Sequence, residues 1–435
     1  MLGIKFGKIM KDIQWSFVAL ATASLSHLLL RIVLGRELGP SGLGVYTLVY
    51  TIYMLGMQFA AFGLGNAITK YVAEFSDALE KAKEFISVGI VSSFLIGTLM
   101  GAFLYIGSYH ISVNIFKVPE MIYLLKITAI VFPFMAIYKV VLGALNGFRD
   151  MKNFALANIA LNAFIFLVSV FFVINLKMHV KGAVLGFVLP TIVLGILSIY
   201  FIYPYLKIPK SPLLKNETLK NLLNFGFYVV LGNSIGYIYL HIDSLMIGYY
   251  LTETEVGLYA VAVIFIQGVS LIPSAAQNVT NPIIAQNFAK KQYETILTMI
   301  KNITSKVLLA SIIISMIAII FGETLIVTIF GMEFLSAYHP LIILLIGYTF
   351  YSPFRSIGTF YSSIGHVQLS YKIALFTAAM NILLNLLLIP KYNIIGASMA
   401  TSISLIIMTL VHFAIIRHFV RVSWGLKSRY TRVNL

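Results

Sequence analysis

Asp243 stands inside an apolar run, in the segment YLHIDSLMIG from Tyr239 to Gly248. Of the 15 acidic residues it is the one placed well inside a predicted membrane span; Glu323 lies nearer a span end. A lone carboxylate in hydrocarbon has to be protonated, paired with a base, or bound to a cation. Two readings follow: a salt bridge to an interior base, or an ion or proton site. A second constellation bears on the choice. Asn381 and Asn385 are four residues apart and share one helix face. Ser398, Thr401 and Ser402 follow on the next apolar run. Carboxylate, amide, hydroxyl and freed backbone oxygen are the ligands a hard cation such as Na⁺ takes. Asn, Ser and Thr also hold transmembrane helices together, so both uses stay open here.

Positive charge is placed inside apolar runs as well. Arg31 falls late in the first run, less than two turns before a Gly-Pro-Ser-Gly cluster, where snorkelling to the interface is the plain alternative. Arg36 is nearer that interface still. Lys139 follows VFPFMAIY and Arg355 follows YTFYSPF, 216 residues apart. Basic residues at matching places in two halves favour a shared central cavity that attracts an anion. Lys372 is near enough to a span end to snorkel. Catalysis finds little support. The chain has no Cys, and its four Asp (Asp12, Asp77, Asp150, Asp243) are dispersed. His241 and Asp243, two residues apart on a helix, point to divergent faces. The expectation is a protein that is not an enzyme and carries no cofactor beyond a coupling Na⁺ or H⁺.

These residues need membrane helices to position them. The chain is 435 residues long, 60% hydrophobic and 11% charged, with a mean hydropathy of +0.94. Apolar runs of about 20 residues recur, each long enough to cross a ~30 Å hydrocarbon core. The fold class is therefore all-α and polytopic; the runs are continuous, which excludes a transmembrane barrel. Twelve spans are predicted, at roughly 15–35, 43–63, 85–108, 122–146, 154–176, 182–205, 222–250, 256–280, 303–329, 338–362, 368–389 and 394–416. No cleavable signal peptide is expected.

The net charge of +16 lies mostly in short loops. It reads as topology anchoring and contact with anionic headgroups, not nucleic-acid binding. With the N-terminus inside, twenty Lys and Arg fall in inner segments, among them Lys5, Lys11, Lys81, Lys210, Lys291 and Arg429. Five fall outside: Arg36, Lys117, Lys177, Lys181 and Lys391. Both termini are thus expected in the cytoplasm.

The chain also repeats itself. RIVLGRELGPSGLGVYTL from Arg31 aligns with SLMIGYYLTETEVGLYAV from Ser244 at a shift of 213, which pairs Gly44 with Gly257 and Tyr46 with Tyr259. Gly182-Ala183 meets Gly396-Ala397 at a shift of 214. Two six-helix units in the same orientation are expected, as in parallel-repeat transporters. They would comprise residues 1–205 and 222–435, joined by a basic linker at 206–221, with a basic cytoplasmic tail. The Gly-Pro-Ser-Gly cluster becomes the turn between spans 1 and 2.

GRELGPSGLGVYTL followed by FGLGNAITKYVAEF, and later HIDSLMIGYYLTETEVGLYAVA and LLNLLLIPKYNIIGASMATSIS, resemble the polysaccharide-transport (Wzx-type) flippases. That family belongs to the multidrug/oligosaccharidyl-lipid/polysaccharide exporter superfamily. The resemblance implies a V-shaped, alternating-access transporter of the cytoplasmic membrane with two pseudo-symmetric lobes. It implies a substrate of isoprenoid phosphate or diphosphate carrying sugars, with Arg31, Lys139, Arg355 and Lys372 offered to its anionic head. The chain is expected to work as a monomer among membrane lipids. The resemblance also places Asp243, Asn381, Asn385 and Thr401 on a Na⁺ site, with Ala397 offering its backbone carbonyl. Asn385 stands where the lipid II flippases have Asp, so the site holds one negative charge fewer. A drug/cation antiporter of the same fold is the competing reading; such a site needs buried acids, and span 1 has Arg31 and no acid. A membrane glycosyltransferase or polymerase is a further one, disfavoured by the sparse acids and short loops.

Overall fold

In a bilayer every backbone amide has to be bonded within its own segment or to a neighbour, so a chain this apolar folds as helices. The computed structural model describes residues 6–206 and 217–422, and the described residues contain helices and no strand. The centre of the basic linker (Lys207, Lys210, Lys215), the N-terminal Lys5 and the tail residues Lys427, Arg429 and Arg432 lie outside the described residues.

The first helix, α1 (Phe6–Ala61), is broken at Gly39, whose φ of 66° and ψ of −176° no helix accommodates. Gly39 takes that conformation without a Cβ penalty, and Pro40 restarts the helix at a position that needs no N–H. The ring of His27 lies 6.2 Å from that of Tyr50. These two residues are nearly equidistant from Gly39, so α1 doubles back as the expected hairpin. The last helix, α15 (Val367–Val422), repeats the device at Asn393, with φ 53° and ψ −138°. Asn381 and Thr401, on either side of Asn393, are hydrogen-bonded at 3.1 Å.

Between these hairpins run α2 (Leu64–Glu74), α3 (Leu79–Tyr109), α4 (Met121–Ala129), α5 (Val131–Gly147), α6 (Met151–Val170), α7 (His179–Leu197) and the short α8 (Ile199–Ile202). There follow α9 (Glu217–Tyr250), α10 (Glu253–Val269), α11 (Leu271–Ala289), α12 (Tyr293–Phe330), α13 (Tyr338–Arg355) and the one-turn α14 (Phe360–Ser363). Among the described residues, eight segments are long and apolar enough to cross a membrane, and two bent pairs bring the number to ten. Two of the eight are the hairpins, each holding two spans, so the segments accommodate the twelve predicted crossings.

Predicted spans 4 and 8 are not straight. α4 and α5 meet at 41°, and α10 and α11 at 43°. Both bends have one cause. Pro133 lacks the N–H that would bond to Ala129, and Pro273 lacks the one that would bond to Val269. Each chain bends where the missing bond would have been. Interior hydroxyls are satisfied locally: Thr128, Thr191, Thr304 and Thr377 each bond the carbonyl four residues back.

The described chain forms two compact units. One runs to Ile238 and includes Thr252–Gly257; the other holds Tyr239–Leu251 and everything after Gly257. The border therefore falls inside α9. The first unit has a core of Leu64, Ile68, Val72, Ile86, Val140 and Leu145 with neighbours. The second packs Ile284, Ile300, Phe354, Ile357, Phe360 and Tyr361.

Candidate functional site

The second unit builds a buried polar cluster around Asp243. α9 delivers the carboxylate, α10 delivers Tyr259, and the two arms of α15 deliver Asn381, Asn385 and Thr401. Asp243 Oδ1 accepts from Asn385 Nδ2 at 2.7 Å. Oδ2 accepts from the Tyr259 hydroxyl at 2.7 Å and from Thr401 Oγ1 at 2.5 Å. Asn385 Nδ2 also reaches Asn381 Oδ1 at 3.1 Å, and Asn381 Nδ2 donates to Thr401 Oγ1 at 3.1 Å. Asp243 is 8% exposed and Asn385 fully buried. Three neutral donors thus converge on one carboxylate. Among the described residues Asp243 makes no salt bridge, and each of its hydrogen-bond partners given above is neutral.

One atom of the cluster is unsatisfied. Asn385 Oδ1 is buried and has no hydrogen-bond partner. Oxygens of Asp243, Asn381, Asn385 and Thr401 thus lie within one hydrogen-bonded cluster, and oxygen is the ligand type that a hard cation takes. Ala397, fully buried, precedes Thr401 by one helical turn. Among the described residues no three of His, Cys, Asp and Glu cluster, and Asp243 is the one carboxylate of this set.

Tyr259 is the member that sequence reasoning left out. It aligns with Tyr46 in the repeat, yet a tyrosine in an apolar span reads as core. Its phenol is a donor to the carboxylate.

The predicted cations are distributed over both units. In the first, Arg31 is half-buried within electrostatic reach of His27, Tyr46 and Tyr50. Lys139 lines a cavity of about 360 Å³. Gln58, Asn66, Asn146, Asn158 and Asn233 line it as well; Arg31 does not, and no Asp or Glu does. In the second unit, Arg355 closes α13 and its Nε donates to Ser274 Oγ at 3.0 Å. Lys372 is exposed beside the exposed Tyr371, Leu375 and Phe376. None of the four makes an ion pair among the described residues, where the pairs are Lys83–Glu80 and Arg149–Asp12.

Residues 9–288, well over half of the chain, match the model of the polysaccharide biosynthesis protein family. The chain belongs to that family. Residues 229–387 also match the MatE model. An uncharacterized membrane protein of Methanocaldococcus jannaschii is 26% identical over 424 residues, covering 92% of this chain and 82% of that protein. The probable low-salt glycan biosynthesis flippase Agl15 of Haloferax volcanii is 27% identical over 224 residues, which is 52% of this chain and 46% of the flippase. Among solved structures, the lipid II flippase MurJ in an inward closed conformation superposes with a TM-score of 0.77, covering 94% of this chain and 90% of MurJ. At 18% identity that likeness establishes the fold alone. This member of the family is an all-α, multi-pass membrane transporter.

Proposed function

We propose that this chain is a flippase that moves a lipid-linked oligosaccharide, joined to its isoprenoid through phosphate or diphosphate, across the cytoplasmic membrane. The observation that carries the reading is the cavity of the first unit. Its charged lining is one lysine and no carboxylate. A chamber of that sign attracts an anionic lipid head; an organic-cation antiporter would need an acid there. Two of the similar proteins, Agl15 and MurJ, bear the names of flippases, which supports the same substrate class and a transporter in place of an enzyme.

Transport proceeds by alternating access of two six-helix lobes, 1–205 and 222–435, in a monomer with both termini in the cytoplasm. The Asp243 cluster couples it to a cation, Na⁺ or H⁺. Asn385 Oδ1, buried without a partner, supports the ion assignment.

The test is complementation of a cell deprived of its own lipid-linked glycan flippase. Wild-type protein restores surface glycan; Lys139→Glu, which reverses the sign of the cavity, does not. Full restoration by Lys139→Glu would remove the basis for the anionic substrate.

A further inference from the structure

We propose that the cavity of the first unit binds the linkage region of a glycolipid joined through a single phosphodiester, with Lys139 at the phosphate and the surrounding amides at sugar hydroxyls. The proposal rests on the flippase reading and narrows its substrate class. The charge of the cavity decides it. Lys139 is the lone Lys, Arg, Asp, Glu or His in the lining. A phosphodiester carries one negative charge, and a diphosphodiester carries two. The second charge of a diphosphate would find no cationic side chain in the lining.

The neutral lining points to hydroxyls. Gln58, Asn66, Asn146, Asn158 and Asn233 come from five helices and converge on one cavity. Each amide offers donors and an acceptor, the complement of a hydroxyl that both gives and takes a hydrogen bond. Asn158 spends its Nδ2 on Phe154 at 2.8 Å, which leaves its oxygen for a ligand donor. A volume of about 360 Å³ takes a linkage sugar and its phosphate, and leaves the rest of the glycan outside.

The lysine is held in place from behind. Gly65 and Gly143 let α2 and α5 touch through their backbones. A Cβ on Gly65 would lie 2.6 Å from the Lys139 carbonyl oxygen. Thr69 Oγ1 then reaches both the Gly65 and the Gly143 carbonyls at 3.0 Å. No acid competes for the ammonium, because Lys139 makes no ion pair among the described residues.

One charge plus hydroxyls also describes the headgroup of phosphatidylglycerol, so the experiment carries both ligands. Full-length protein is placed in neutral-lipid nanodiscs. It is titrated with farnesyl phosphoryl glucose, farnesyl diphosphoryl glucose, the methyl ester of farnesyl phosphate, and short-chain phosphatidylglycerol. The phosphodiester sugar should bind most tightly. Lys139→Gln should weaken it about thirtyfold or more, and Lys139→Arg should retain it. Asn158→Ala with Asn233→Ala should bring the sugar and methyl-ester ligands to equal affinity while leaving the methyl ester unchanged, which shows that the variant is folded. Equal or tighter binding of the diphosphate sugar would overturn the single-charge assignment and leave the flippase reading standing. Phosphatidylglycerol binding as tightly as the sugar lipid would overturn the glycan assignment. Lys139→Gln within about twofold of wild type would overturn the site. If wild type binds neither sugar lipid and also fails to complement, the flippase reading falls with the proposal.

Discussion

Two stretches that align at a shift of 213 hold opposite charges in their spans. Arg31 and Tyr46 in the first correspond to Ser244 and Tyr259 in the second, at a shift of 213. In the first unit Tyr46 is buried in an aromatic stack, with its ring 5.7 Å from Tyr50 and 6.3 Å from Phe187. In the second the matching tyrosine donates to a carboxylate. One copy thus carries a cation among aromatics, and the other an anion among donors. The difference teaches where each charge finds its partner. Asp243 is met by three donors within the protein, whereas Lys139 makes no ion pair among the described residues and lines a cavity.

The comparison breaks most visibly at Asp243. Asp243→Ala would bury two orphaned donors, on Tyr259 and Thr401, at about 1–3 kcal/mol each, and leave Asn385 with Asn381 alone. The expected result is a protein with a much lower Tm and no transport. Asp243→Asn keeps the shape and removes the charge. It should fold, yet lack the Na⁺-dependent stabilisation that the proposed site predicts for the purified wild type. A thermal melt with and without Na⁺ decides this, and equal Na⁺ shifts in the two proteins would sink the cation assignment. Next in size are Thr401→Val and Tyr259→Phe, each removing one hydrogen bond to a charged group, at about 1.5–3 kcal/mol. Both should weaken Na⁺ stabilisation without touching lipid binding in the first unit.

The sequence made the spans legible because an uninterrupted apolar run of about 20 residues has few other uses. It also named Asp243, Asn381, Asn385 and Thr401, since a carboxylate or paired amides in hydrocarbon demand partners. Two things were out of its reach. The bends at Ile130 and Ser270 depend on Pro133 and Pro273, and a proline in a membrane helix is as often accommodated as bent. The amide cavity joins Gln58, Asn66, Asn146, Asn158 and Asn233 across five helices, so no spacing in the chain connects them. Neutral amides carry no charge signal in an apolar run, although their convergence is what gives Lys139 its setting.

Both sites lean on a glycine, and that offers a reciprocal test. A Cβ on Gly65 would press the Lys139 carbonyl, and one on Gly347 would lie 2.5 Å from the Ser402 Cα, beside Thr401. Forcing an extra carbon into such a contact costs about 1–3 kcal/mol. Gly65→Ala should therefore impair glycolipid binding and spare the Na⁺ shift, while Gly347→Ala does the reverse. Loss of both functions in either variant would mean that the two sites are not separable. Asn385→Asp sharpens the contrast further. It adds a second carboxylate beside Asp243 and removes the amide donor between them. The variant should tighten Na⁺ about tenfold, equivalent to about 1.4 kcal/mol, and be less stable when Na⁺ is withdrawn. A Na⁺ titration of Tm reads both effects.

The smallest effect is expected at Lys372. It belongs to the second unit, as Arg355 does, but its surroundings differ. Arg355 is half-buried and bonded to Ser274, whereas Lys372 stands exposed between exposed aromatic and aliphatic side chains. A long amine on such a face carries its charge out to the interface and leaves its methylenes against lipid. Lys372→Ala should change stability by no more than about 0.5 kcal/mol and leave complementation at the wild-type level. Arg355→Ala loses the bond to Ser274 and a buried charge together, so it should lower Tm and glycan export. If Lys372→Ala proved the more damaging of the two, exposure would be a poor guide to which cations meet the substrate, and the contrast between the units would have to be redrawn around helix α15.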